Sequence, residues 1–181
     1  AQPQERQSLH PKHLEQVHVC VGFKGLPVGH QDRYAAYVLS TILGGGVSSR
    51  LFQEIREKRG LAYTIYSHLS SFLDGGMLTV YAATRPNEVI AVIDQICKET
   101  AKLCSRVVNE KELERTKTQL KGSLMLGLEG TYGRMNKLAK DELYQGRHVT
   151  LQEIVKSIDR ISPEQIRQLS RKLLDPKEFV L

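Results

Sequence analysis

Apolar and polar positions alternate from Glu15 to Phe23, with Val17, Val19, Val21 and Phe23 on one face and Gln16, His18 and Cys20 on the other. That two-residue period predicts a half-buried strand, ended by the turn chemistry of Lys24, Gly25, Leu26 and Pro27. The period then lengthens. Tyr34, Val38, Leu39 and Ile42 predict a helix, which Gly44, Gly45 and Gly46 interrupt. Val47, Leu51, Phe52 and Ile55 predict a second helix, with Ser48 or Ser49 as its N-cap, Lys58 and Arg59 at its negative end and Gly60 at C′.

Two β-rich runs, Ala62 to Phe72 and Met77 to Thr84, are joined by LDGG, which predicts an antiparallel hairpin. Helical patterns fill most of the remainder. Val89, Val92, Ile93, Ile96 and Cys97 form one stripe, and Asn109 with Glu112 makes a capping-box pattern ahead of Leu113, Leu120 and Leu124. A further helix is expected over roughly 132–144. Thr150 with Glu153 opens the next, and Ser162, Pro163 and Gln165 supply cap, N1 proline and N3 partner for the last. A final strand is expected over residues 179–181. The order predicts an α+β fold, with helices packed on one face of a largely antiparallel sheet.

Length and composition narrow the possibilities. The 181 residues suit one domain, and 40% hydrophobic with 25% charged residues is ordinary globular usage. No apolar run approaches the roughly 20 residues of a spanning helix, so no membrane partner is expected. The net charge of +6 comes from basic residues interleaved with acidic ones, as in EIREKRG, which favours a solvated surface over a nucleic-acid patch. Cys20, Cys97 and Cys104 form no disulfide framework, and the last two lie about 10 Å apart on one helix. Reduced thiols fit a cytoplasmic setting. The segment AQPQERQSLHPKH is polar with two prolines. Residues 1–12 are therefore expected to be a linker from an upstream domain, and 13–181 a single domain.

Three candidate sites stand out. GGGVSSR places glycines before a helix N-terminus, as a phosphate cradle does, but Val47 stands where the P-loop pattern needs lysine. A flexible hinge is the simpler reading, although a third glycine suggests backbone lying close to something, such as a peptide. His10, His13, His18 and Glu15 are zinc-ligand types, yet HLEQVH is neither H-x-x-E-H nor H-E-x-x-H. His18 and Cys20 share a strand face without a third converging group. Arg56 and Tyr63 flank the Gly60 turn, where a guanidinium and a phenol side by side would donate hydrogen bonds to carbonyl oxygens or an oxyanion; on spacing alone, an exposed arginine and a core tyrosine are the favoured account.

The run ILGGGVSSRLFQEIREKRGLAYTIYSHLSSFLDGGMLTVYAAT closely resembles the second homologous half of the pitrilysin/insulinase family of zinc peptidases, which includes processing peptidase. The likeness continues through NEKELERTKTQLKGSLMLGLEGTYGRMNKLAKDELYQGR to ISPEQIRQLSRKLL. The resemblance implies one of two similar α+β halves that close around an extended peptide, with zinc held by an H-x-x-E-H motif on the N-terminal half. It implies that Arg56 and Tyr63 hold substrate carbonyls, and that Gly44, Gly45 and Gly46 form a short version of a glycine-rich substrate-handling segment. Neither catalytic residues nor metal ligands are expected on this chain. Two functions follow from it: the substrate-binding part of a zinc metalloendopeptidase, inactive alone, or a catalytically silent peptide-binding or structural relative such as the respiratory-complex core proteins.

Overall fold

The computed structural model describes residues 15–175 and 180. The expected linker, with His10 and His13, lies outside the described residues, as do Phe179 and Leu181. Strands β1 (Val17–Lys24), β2 (Ala62–Ser71) and β3 (Gly76–Thr84) form an antiparallel sheet in the order β1-β3-β2. The LDGG segment reverses the chain between β2 and β3 as expected. Val180 exchanges two backbone hydrogen bonds with Gly22, at 2.7 and 2.9 Å, on the far side of β1.

Alternation decides which face of the sheet is covered. Val19, Val21 and Phe23 of β1, Leu78, Val80 and Ala82 of β3, and Ile65 and Leu69 of β2 are all buried on the helical side. Helix α1 (Arg33–Gly44) lies against β2 and is itself enclosed by α3 (Glu110–Gly127), α5 (Leu151–Asp159) and α6 (Pro163–Leu173). Ala35, Ala36, Val38, Leu39, Ile42 and Leu43 are all buried, so α1 is the central rod of the core. Helix α2 (Val89–Ser105) packs on α6 through Val92, Ile96 and Leu103. Helix α4 (Thr131–Gln145) buries no residue at all, and with the end of α3 it exposes Met125, Leu126, Tyr132, Met135, Leu138 and Leu143.

The helix ends match the sequence expectations in part. Thr150 and Glu153 make the full reciprocal box. Asn109 caps α3 through Lys111 N at 2.8 Å, but Glu112 does not return the bond; it binds Arg50 through two contacts of 2.8 Å. Ser162 likewise caps α6, while the Gln165 side chain donates to Asp32 at 3.1 Å. Long-range partners have taken both N3 side chains. The expected serine cap after the glycines is absent: Ser49 is buried, and its hydroxyl donates to the Gly46 carbonyl at 2.6 Å.

The junction of α1 with β2 tolerates no side chain at Gly44, where a Cβ would sit 2.4 Å from the backbone nitrogen of Ser67. Gly44→Ala is expected to lower unfolding stability by about 1–3 kcal/mol through overpacking against backbone. Gly122 lies within α3 with no atom in reach of an added Cβ. Gly122→Ala should therefore stabilise by about 0.5–1 kcal/mol, and urea denaturation of the two variants checks both signs.

Candidate peptide-binding cleft

The glycine segment is pinned rather than loose. Gly46 has φ of 155°, a conformation that side chains rarely adopt. Four consecutive carbonyls of this loop accept side-chain hydrogen bonds: Gly45 from Gln119, Gly46 from Ser49, Val47 from Gln53 and Ser48 from Arg115. The flexible-hinge expectation is therefore corrected. The close neighbour that removes a side chain at Gly44 is the protein's own strand, β2.

Beyond the loop, the chain winds into a π-helical turn, Phe52–Glu57, in which Lys58 N reaches back five residues to Gln53 O at 3.0 Å. The turn ends where Gly60, at φ 61°, donates to Arg56 O at 3.1 Å, the left-handed cap anticipated for this glycine. Ile55 points into the core and Arg56 outward. The Arg56 guanidinium sits 4.8 Å from the centroid of the Phe52 ring, a cation–π contact one turn back along the chain. No hydrogen bond or ion pair engages it among the described residues. Its neighbours Lys58 and Arg59 both lean on Glu54, at 2.5 and 3.7 Å.

Arg56, Phe52 and the three glycines line one open cleft of about 390 Å³, whose other wall is β2 at Thr64 and Tyr66. Strand β2 has a partner only on its β3 side among the described residues. Its outer edge thus presents backbone donors and acceptors of the kind that pair with an extended chain.

Tyr63 lies beside this cleft but does not line it. The ladder slips between Ala62 and Thr64, so Tyr63 is an extra residue in a β-bulge. Ala62 and Ile65 both face inward as a result, while Tyr63 and Thr64 are both exposed. Tyr63 is 50% exposed, which corrects the core-tyrosine alternative. Its hydroxyl accepts from Arg85 Nε at 3.1 Å, leaving the phenolic proton free to donate elsewhere. Sequence reasoning overlooked Phe52 as the support for Arg56 and Arg85 as the partner of Tyr63. The four-residue spacing of Phe52 and Arg56 offered the first signal; nothing local offered the second.

The uncovered sheet face continues from the cleft. Tyr66 stacks on Tyr81 at 5.0 Å between centroids, and His18 Nδ1 lies 2.7 Å from the Tyr81 hydroxyl. Cys20 is exposed opposite Tyr81. No group of three or more His, Cys, Asp or Glu is placed to hold a metal ion among the described residues. His18 and Cys20 do not fit a zinc site, and nothing in the chemistry below runs through a metal on this chain.

Comparison with known proteins fixes the class. Residues 1–120 match the family described as the Peptidase M16 inactive domain, and the chain belongs to it. It is 46% identical over 162 residues to an uncharacterized zinc protease, YmxG, of Bacillus subtilis, covering 90% of this chain and 40% of that protein. A protease from Helicobacter pylori shares its fold, with a TM-score of 0.85 and 23% identity over 94% of this chain and 41% of the other. A peptidase M16 inactive domain from Pseudomonas fluorescens does so with a TM-score of 0.83 and 24% identity, over 91% and 40%. The chain thus spans about 40% of the length of such relatives. Among the described residues, no helix is long and apolar enough to cross a membrane.

Thiol chemistry gives a direct check on this surface. Burial raises the Cys97 and Cys104 pKa values, and Cys104 also donates toward Ser170 O at 3.4 Å. At pH near 7.5, iodoacetamide should modify Cys20 well before the other two, with Cys97 and Cys104 gaining up to about tenfold in rate per pH unit until their raised pKa values are reached. Peptide mapping by mass spectrometry reads the order.

Proposed function

We propose that this chain is the substrate-holding half of a zinc-dependent endopeptidase, with the zinc site on a homologous N-terminal half. The observation that carries the reading is Arg56: an exposed guanidinium, held over Phe52 and free of any carboxylate among the described residues, facing a cleft bounded by glycine backbone and the open edge of β2. In this reading an extended peptide lies along the cleft. The β2 edge supplies main-chain hydrogen bonds, the Gly44–Gly46 backbone walls the cleft, and Arg56 donates to substrate carbonyls. Tyr63, its oxygen already occupied by Arg85, turns its proton toward the scissile carbonyl and stabilises the negative charge that develops there. Zinc on the other half supplies the activated water when bound.

Such a division of labour makes Arg56 and Tyr63 transition-state residues rather than anchors of the fold. In the full-length protein, Tyr63→Phe should lower kcat/KM by about a hundredfold, equivalent to about 3 kcal/mol, with folding and zinc content intact. Arg56→Ala should do the same and also weaken peptide binding. Arg59→Ala, which loses only a distant contact with Glu54, should retain wild-type activity. Peptide-cleavage kinetics on the three variants test the reading: equal activity throughout would remove Arg56 and Tyr63 from the chemistry, and absence of cleavage by the full-length wild type would leave a catalytically silent peptide-binding or structural subunit as the better account. The chain by itself should carry no stoichiometric zinc after dialysis and cleave no peptide, as metal analysis and the same assay would show.

A further inference from the structure

Around the start of α1, four basic side chains converge. Arg33, Arg147, Lys156 and Arg160 line a hollow of about 220 Å³ between the start of α1, α5 and the loop before α5. A second hollow of about 260 Å³ adjoins it and shares Arg33, Tyr34, Ser157 and Arg160, adding His30 and Gln165. The two hollows are neighbours, with the four shared residues lining both.

Counter-charge is scarce there. Glu153 is the carboxylate of the first hollow, and it already accepts from Thr150, in the capping box, and from Arg147. Asp32, beside the second, accepts from Gln165 and lies 3.9 Å from His30. Arg33 is half-buried, yet its partners are all neutral: Val28 O at 3.4 Å, Gln145 Oε1 at 3.0 Å and the Tyr34 hydroxyl at 2.9 Å. Its guanidinium also packs on the Tyr34 ring, 4.6 Å from the centroid. No carboxylate pairs with Arg33, Lys156 or Arg160 among the described residues. A guanidinium fixed by neutral acceptors keeps its charge uncompensated and its remaining donors aimed, and a fork of this kind matches phosphate oxygens. Tyr34, like Tyr63, accepts a hydrogen bond from arginine and retains its own proton to donate.

We propose that these two hollows bind a diphosphate group, one phosphate in each, with Arg33 and Arg160 between them and Lys156 and Arg147 closing on the outer phosphate. The site is separate from the peptide cleft and does not depend on the function proposed above. The group comes either as free pyrophosphate or as the diphosphate of a nucleotide, and the two sources can be told apart.

Isothermal titration calorimetry of the protein with inorganic pyrophosphate, ADP, orthophosphate and sulfate at matched ionic strength provides the test. Pyrophosphate is expected to bind saturably with one site per chain, at least about tenfold tighter than sulfate, because two bound phosphates engage both hollows. Equal affinity for ADP would identify the diphosphate itself as the ligand, and tighter ADP binding would identify a nucleotide. Lys156→Gln and Arg160→Gln, both exposed, should each weaken pyrophosphate by about tenfold with unchanged thermal unfolding. Lys111→Gln, on the first turn of α3, should bind as wild type. Absence of saturable binding, sulfate binding as tightly as pyrophosphate, or undiminished affinity in the Lys156 and Arg160 variants would overturn the assignment.

Discussion

The last turn of α1 touches β2 so closely that only a hydrogen fits between them. Ser67 Oγ donates to Ser40 O at 2.6 Å, and the Gly44 α-carbon rests against the Tyr66–Ser67 backbone. This contact sets the distance between the buried rod of the core and the edge of the sheet. It also fixes where the chain leaves α1, and therefore where the glycine loop and the π turn can lie. The cleft exists because a helix end and a strand edge are held side by side, and the loop above them is tied down by its own carbonyls.

A second layer of order comes from side chains that serve distant elements. Arg50 grips Glu112 from the start of the segment that carries Phe52 and Arg56, and so ties that segment to α3. Gln119 and Arg115, also on α3, reach the loop carbonyls. Helix α3 thus acts as a brace for the cleft although it contributes nothing to its lining. Both ions of the Arg50–Glu112 pair are about four-fifths buried, so cutting it would strand a charge, a costlier event than losing a surface pair.

Much of the fold was legible from the sequence because periodicity reports burial directly. The alternation of Val19, Val21 and Phe23, the hairpin at LDGG and the Thr150 box depend on neighbours along the chain, and each was found where expected. What escaped was long-range. Glu112 and Gln165 carry a local capping pattern, but a better partner from another element outcompeted the local one. The Gly44 triplet read as a hinge because glycine permits freedom, whereas packing against β2 uses the same missing side chain for closeness. At the site, Arg56 and Tyr63 were picked out, yet the bulge that turns Tyr63 outward has no signature in composition or period.

That bulge gives the short interval between the π turn and the hairpin a tolerance the rest of the sheet lacks. A regular ladder transmits any added or lost residue along its whole length, reversing every side chain beyond it. Here the ladder already accommodates one surplus residue at its very start, where Ala62 and Thr64 fall on adjacent partners, Thr84 and Ala83. A one-residue deletion could be absorbed at that point, leaving Ile65 and Leu69 in the core and the Tyr66–Tyr81 stack intact. The phenol alone would lose its position. The aim of this side chain and the integrity of the sheet are therefore mechanically uncoupled, and the chain length between Gly60 and Thr64 can vary the former while preserving the latter.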